Sequence, residues 1–331
     1  MVMRGVINTS RVYSSHIFFN HQITARYTTK KDNLYTQVTD TLLMIQPVNF
    51  HCNDMTKTDN TFQVSKNSPI NPQAQALREF NTLVSLLRSH RINVYVRKDT
   101  PEPVKPDAVF PNNWVSFHPE GVVLYPMRAE NRRYERRIDV LKELIGKGKK
   151  YTDFSKLEEE EMYLEGTGSL VLDRVNRKAY ANISPRTHIT LVKKFCTELK
   201  FEPIVFSAKY NDIPIYHTNV LMSVGAEFAI ICLESISSKS ERTFVLRSLE
   251  QDRKEVIEIS IDQCSRMLGN CLQVRNSSNQ LFIVMSEQAR NALTSDMCQR
   301  LSKHGTILSS DLTTIETLGG GSARCMIAEI Y

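Results

Sequence analysis

The chain has 331 residues, 41% of them hydrophobic, which supplies one large core or two smaller ones, and no apolar run nears the ~18 residues that cross a bilayer. Its formal charge of +6 is uneven: Arg4, Arg11, Arg26, Lys30 and Lys31 precede the first acidic residue, Asp32, and without those five the chain holds 42 − 5 = 37 basic against 36 acidic groups. A near-neutral body argues against a nucleic-acid partner, and the missing apolar run against a membrane one.

In chain order, residues 1–33 are rich in Arg, Ser, Thr and Tyr and lack the compact apolar stretch of a secretory signal. That composition predicts mitochondrial targeting, with a disordered extension of a cytoplasmic protein as the alternative. From residue 40 onward a single catalytic domain is expected. "TLLMIQPV" (41–48) reads as a strand, Asn71-Pro72 starts a helix running to about His90, and "INVYV" (92–96) reads as a second strand.

A repeating order follows. "WVSFH" (114–118), "GVVLYP" (121–126), a helix over 130–146 that stops at Gly146, and an extended stretch near 151 form one set. "SLVLD" (169–173), "KAYANI" (178–183), a helix over 187–200 and "EPIVF" (202–206) form the next. "NVLMSV" (219–224), "FAIICL" (228–233), a helix beginning after Ser240 and "VIEIS" (256–260) form a third. "CLQV" (271–274), "LFIVM" (281–285), one helix capped by Ser286 and continuing through His304, and "TILSS" (306–310) form a fourth.

First strands thus begin near 114, 169, 219 and 271, steps of 55, 50 and 52, and the next, "ARCMIAEI" (323–330), opens where the chain is about to end. Its missing partners are the strands and helix at 41–96. Five ββαβ units are therefore counted only if the last strand pairs with the first, which predicts an α/β propeller. Equivalent points of the units converge on its axis. Asn113, Glu165 and His217 are separated by 52 and 52, further steps land on Gly269 and Gly321, and Cys325 lies four residues beyond. A nucleophile, a base and a carboxylate in matching phase point to covalent catalysis, although alone each reads as a buried thiol, a core histidine or a surface acid.

The seven cysteines form no CxxC and the eight histidines no HExxH, so neither a structural metal nor a disulfide framework is expected. No cofactor is expected either. Gly166-Thr167-Gly168 is followed by Val171 where a dinucleotide fingerprint needs its third glycine.

The segments "FPNNWVSFH", "YPMRAENRRYER", "LEGTGSLVLDR", "ISPRT", "YHTNVLMSVG" and "GGGSARCMIAEI" together resemble the amidinotransferase and arginine deiminase superfamily over about residues 40–331. They are most similar to its citrulline-utilisation hydrolase branch. The resemblance implies a five-bladed pentein fold, a Cys325 nucleophile, a His217 general acid/base and an orienting Glu165. It also implies that Arg132 and Arg186 hold a substrate α-carboxylate. Gly319, Gly320 and Gly321 are expected to let backbone approach the reacting carbon, with their amides holding developing charge.

Arginine-processing members usually carry Asp where this chain has Asn113, and many carry another where it has Asn219. Two amides, with Asn112 beside the first, suit a neutral ureido group better than a guanidinium. The expected reaction is citrulline to ornithine, carbon dioxide and ammonia. An arginine or dimethylarginine deiminating hydrolase, an amidinotransferase and a non-catalytic pentein binding module are the alternatives. The expected partner is a small amino-acid substrate, and a homodimer is the candidate assembly.

Overall fold

The computed structural model describes residues 37–57, 59, 60, 62, 63, 71–145 and 150–331. The expected targeting or disordered segment at 1–33 and the expected helix stop at Gly146 lie outside the described residues. Strand β1 (Thr41–Gln46) leads through a loop to the helix Pro72–Ser89. Pro72 stands at the first turn, where its missing N–H costs nothing, and the Asn71 side chain accepts from Ala74 N. The helix buries Ala76, Phe80, Leu83, Val84 and Leu87, a helical stripe, and returns the chain to β2 (Asn93–Lys98). β1 and β2 pair in parallel, Leu42 opposite Val94, the geometry that a helical crossover demands.

The same plan recurs along the chain. β3 (Val115–His118), β4 (Gly121–Leu124) and β5 (Tyr151–Asp153) form one sheet; β6 (Val171–Asp173), β7 (Lys178–Asn182) and β8 (Glu202–Phe206) form the next. After a hairpin of β9 (Lys209–Tyr210) and β10 (Ile213–Pro214) come β11 (Met222–Val224), β12 (Phe228–Ile231) and β13 (Glu255–Glu258). Then follow β14 (Leu272–Arg275), β15 (Leu281–Ser286) and β16 (Thr306–Ser310). In each sheet the first strand is antiparallel to the second and the second is parallel to the third. Among the described residues there are five three-stranded sheets, none of which closes on itself. The fifth is completed by β17 (Ala328–Glu329), which pairs antiparallel with β1, Leu43 opposite Ala328.

β4, β7 and β12 are buried at every position, so β4 and β12 read as unbroken apolar runs, while β7 holds its apolar residues between the buried Lys178 and Asn182.

Several expected elements differ in extent, each for a local reason. The helix expected over 130–146 is two pieces, Glu130–Arg133 and Ile138–Ile145, because the buried Arg132–Glu135 pair closes the first turn. The helix expected through His304 is likewise divided. Thr294 accepts from Met297 N and starts a second helix, Ser295–Ser302, after Glu287–Asn291. Ser238, not Ser240, caps the helix Lys239–Gln251. The strands expected from 169 and 219 begin as helical turns, Gly166–Ser169 and Thr218–Leu221. Most consequentially, only residues 328–329 of the expected strand 323–330 are extended. Cys325 sits in the turn before it, after an unforeseen helix, Thr313–Gly319.

Candidate active site

The residues in matching phase occupy equivalent seams, each just ahead of a unit's first strand. Asn113 ends the 3-10 turn Pro111–Asn113 before β3; Glu165 and His217 are the caps of the helical turns before β6 and β11. A helical turn placed there aims the preceding side chain inward. A small cleft results, lined by Asn60, Asp107, Phe110, Asn113, Arg132 and Arg186 together with Tyr216, His217, Gly319, Gly321 and Cys325. Cys325 and His217 are both 2% exposed, and Glu165 is fully buried.

Glu165 Oε2 lies 2.8 Å from His217 Nε2. Burial alone pushes the Glu165 carboxyl up, but Arg186, the His217 hydrogen bond and Arg132 outweigh it and hold the group well below the usual carboxylate range. Arg186 Nη1 and Arg132 Nη1 approach Oε2 at 3.6 and 3.7 Å, and Arg128 N donates to Oε1 at 3.0 Å. An ionised Glu165 requires the Nε2–H tautomer of His217, which leaves Nδ1 as the basic nitrogen. Burial, Arg186 and Arg132 push His217 below its ordinary value against Glu165, so the imidazole rests neutral.

Gly168 makes this arrangement sterically possible. A Cβ there meets Asn113 Nδ2 at 2.5 Å and His217 Nδ1 at 2.8 Å, closer than side chains tolerate. Gly168→Ala is therefore expected to cut kcat at least about tenfold and to destabilise the fold by about 1–3 kcal/mol, measured by turnover and urea melts.

The terminal glycines act differently from expectation. Gly320 adopts φ +68°, ends the helix Thr313–Gly319 and spends its N–H on Glu316 O at 2.8 Å, so that amide is not free to hold developing charge. Gly319 and Gly321 lie against the Phe110 ring with no room for a Cβ at the first. Cys325 N then donates to Ser322 O at 2.9 Å, which folds the cysteine into the cleft.

The expected substrate contacts divide into four groups. Asn113 Oδ1 accepts from Arg132 Nη2 at 3.0 Å, so its Nδ2 is the free end, and that atom has no partner among the described residues. Asn219 instead donates Nδ2 to Cys325 Sγ at 3.3 Å and lines a second cavity with Thr167, Met222, Cys271 and Arg324. Asn112 is fully buried, does not line the cleft, and neither side-chain atom has a partner among the described residues. Arg132 and Arg186 do line the cleft, but each is bound by carboxylates. Arg132 pairs with Glu135 and Asp107; Arg186 pairs with Asp59 and stacks over Tyr216.

Four contributors escaped sequence reasoning. Asp107 lines the cleft with a buried Oδ1 that has no partner among the described residues, its other oxygen accepting from Asn53 at 2.8 Å. Asp59 and Asn60 belong to the loop between β1 and the first helix, and Asn60 Nδ2 donates to Gly319 O at 3.2 Å. Asn270 directs Nδ2 at Cys325 Sγ from 3.3 Å. Only Asn270 carried a signal, since it follows Gly269, itself in phase with the repeat. Among the described residues, no group of His, Cys, Asp and Glu could hold a metal ion.

Solved structures share this architecture. The N-terminal domain of ArgZ, an arginine dihydrolase of the ornithine-ammonia cycle in Cyanobacteria, was solved bound to substrate as a cysteine-to-serine variant. It matches with TM-score 0.69 and 16% identity over 88% of this chain and 97% of that one. AgrE with ornithine and NAD+ matches with TM-score 0.70 and 18% identity over 88% and 39%. Dimethylarginine hydrolase (DDAH) from Pseudomonas aeruginosa with citrulline matches with TM-score 0.61 and 13% identity over 89% and 100%. The chain spans 40% of full-length ArgZ and 39% of AgrE. No curated protein sequence matches it. The fold is thus a mixed α/β one similar to pentein structures. The family model described as "N,N dimethylarginine dimethylhydrolase, eukaryotic" matches residues 46–331, and the chain belongs to that family of hydrolases, which act on guanidino and amidino carbon–nitrogen bonds within the amidinotransferase and arginine deiminase superfamily.

Proposed function

We propose that the protein hydrolyses the ureido group of citrulline, giving ornithine, carbon dioxide and ammonia through a covalent Cys325 intermediate, with the five sheets acting as the blades of a closed propeller around the site. The observation that carries this reading is the orientation of Asn113. Arg132 holds its oxygen, which turns an N–H₂ donor toward the cleft beside His217. A donor complements a carbonyl oxygen. It does not complement a guanidinium, which has donors only.

In this mechanism the Cys325 thiol passes its proton to the neutral His217 Nδ1 as its sulfur adds to the ureido carbon, while Asn113 donates to the ureido oxygen. A proton carried by His217 Nδ1 goes to the δ-nitrogen, the C–N bond breaks, and ornithine leaves a carbamoyl thioester. Water then loses a proton to His217 and adds to the same carbon. The C–S bond breaks, carbamate departs and decomposes to carbon dioxide and ammonia. Glu165 keeps Nε2–H in place throughout and stabilises the transient imidazolium. The Oδ1 of Asp107, without a partner among the described residues, suits the substrate's ammonium.

A second reading has support of its own. The family model is one of dimethylarginine hydrolases, and Asp107 in the cleft lining, with the ionised Glu165 behind His217, supplies negative charge able to offset a guanidinium. Asn113→Asp separates the two. It is expected to lower kcat/KM for citrulline about 10–100-fold and to raise arginine turnover relative to citrulline, because a carboxylate offers acceptors only. Parallel ornithine, citrulline and ammonia assays check this. Unchanged citrulline turnover in Asn113→Asp would count against the ureido reading.

A further inference from the structure

We infer that Asn270 is a further catalytic residue, whose side-chain amide binds the Cys325 sulfur and stabilises it as the attacking anion. Its Nδ2 stands 3.3 Å from Sγ and 2.9 Å from Asn219 O, and its Oδ1 accepts from Arg324 N at 3.1 Å. Every side-chain polar atom is thereby engaged, and the residue is fully buried. The amide therefore has one orientation. The backbone of Arg324, immediately before the nucleophile, locks the oxygen away from the sulfur and the donor toward it.

Asn219 Nδ2 approaches the same sulfur at 3.3 Å, so two neutral amides converge on it from neighbouring units. Donors aimed at an anion favour the charged form and cost no reorganisation when it forms. Other charges are already committed. Arg324 pairs with Glu329 and donates to Ile327 O, Arg132 and Arg186 are bound to carboxylates, and Glu165 engages His217. Asp107 and Tyr216 also face the cleft, and neither can donate a positive charge to the sulfur. The Phe110 ring, which packs against Gly321 beside Cys325, adds no charge to the site.

This role rests on Cys325 being the nucleophile but not on which substrate it attacks. The test follows alkylation of Cys325 by iodoacetamide against pH, read by peptide mass, in the wild type, Asn270→Ala and Asn270→Asp. Asn270→Asp keeps the acceptor for Arg324 N and removes both donors. The midpoint of reactivity is expected to rise by about one unit or more in both variants, and kcat to fall about tenfold or more with KM little changed. Folded variants with an unmoved midpoint overturn the proposal, since a merely structural asparagine alters melting and not thiol ionisation. If neither variant folds, a crystal structure of the wild-type enzyme decides. An Asn270 amide beyond hydrogen-bond reach of the sulfur overturns it, and one within reach upholds it. Turnover of no ureido or guanidino substrate by the wild type, together with a shifted midpoint, sinks the proposed reaction and leaves this assignment standing.

Discussion

Replacement of Cys325 by serine is expected to lower turnover at least about 10⁴-fold while leaving the fold and substrate binding intact. A hydroxyl holds its proton at neutral pH, and the two amides aimed at this position favour an anion that serine does not readily form. The smaller oxygen also shortens the reach to the substrate carbon. Steady-state ornithine release measures the loss, and a thermal shift on adding citrulline measures retained binding. Activity within tenfold of wild type in the serine variant would remove Cys325 from the reaction.

Glu165→Gln is expected to reduce kcat about 10²–10⁴-fold, because the amide keeps the shape and discards the charge that fixes the His217 tautomer. It also removes one of the carboxylates facing Arg186 and Arg132, whose Nη1 atoms approach Oε2. The pH dependence has a definite sign. Burial, Arg186 and Arg132 lower His217 while Glu165 opposes them, so losing the carboxylate lowers it further. The acid limb of the rate profile, where His217 gains a proton, therefore lies below the ordinary imidazole value of 6.5 in the wild type and moves further acid in the variant. Stability follows the same direction. Both His217 and Glu165 are held below their unfolded values, so their contribution is full above about pH 6.5 and declines as pH falls. An acid limb that moved upward in Glu165→Gln would refute the electrostatic account of the pair.

The repeat was legible because burial imposes it. The central strand of each unit is buried along most or all of its length, and β8 and β16 begin and end where the sequence pattern puts them. What hid was the short-range geometry at the seams. Glu165 and His217 precede the four-residue helical turns Gly166–Ser169 and Thr218–Leu221, which are too short to show a helical period, so the pattern merges their ends with the strands that follow. Cys325 was placed in a strand for the same reason, whereas the Ser322 carbonyl, accepting from both Cys325 N and Met326 N, curls the segment into a turn.

The charged partners of the site were not legible at all. Asp107 lies in the Pro-rich stretch before Asn113 and reads as a turn residue, and Asp59 lies in a loop with no pattern, yet each meets a buried arginine of the cleft. The arginines were expected to hold substrate; they also bracket Glu165, a role visible only once the units are brought together.

The substrate claim is tested most directly by acid-quenching the enzyme during turnover of citrulline, mapping the Cys325 peptide by mass and counting the released products. The account predicts a carbamoyl group on Cys325, equal amounts of ornithine and ammonia, and neither in the serine variant. Citrulline that persists untouched, while arginine or dimethylarginine is converted to it and a larger adduct appears on Cys325, would contradict it.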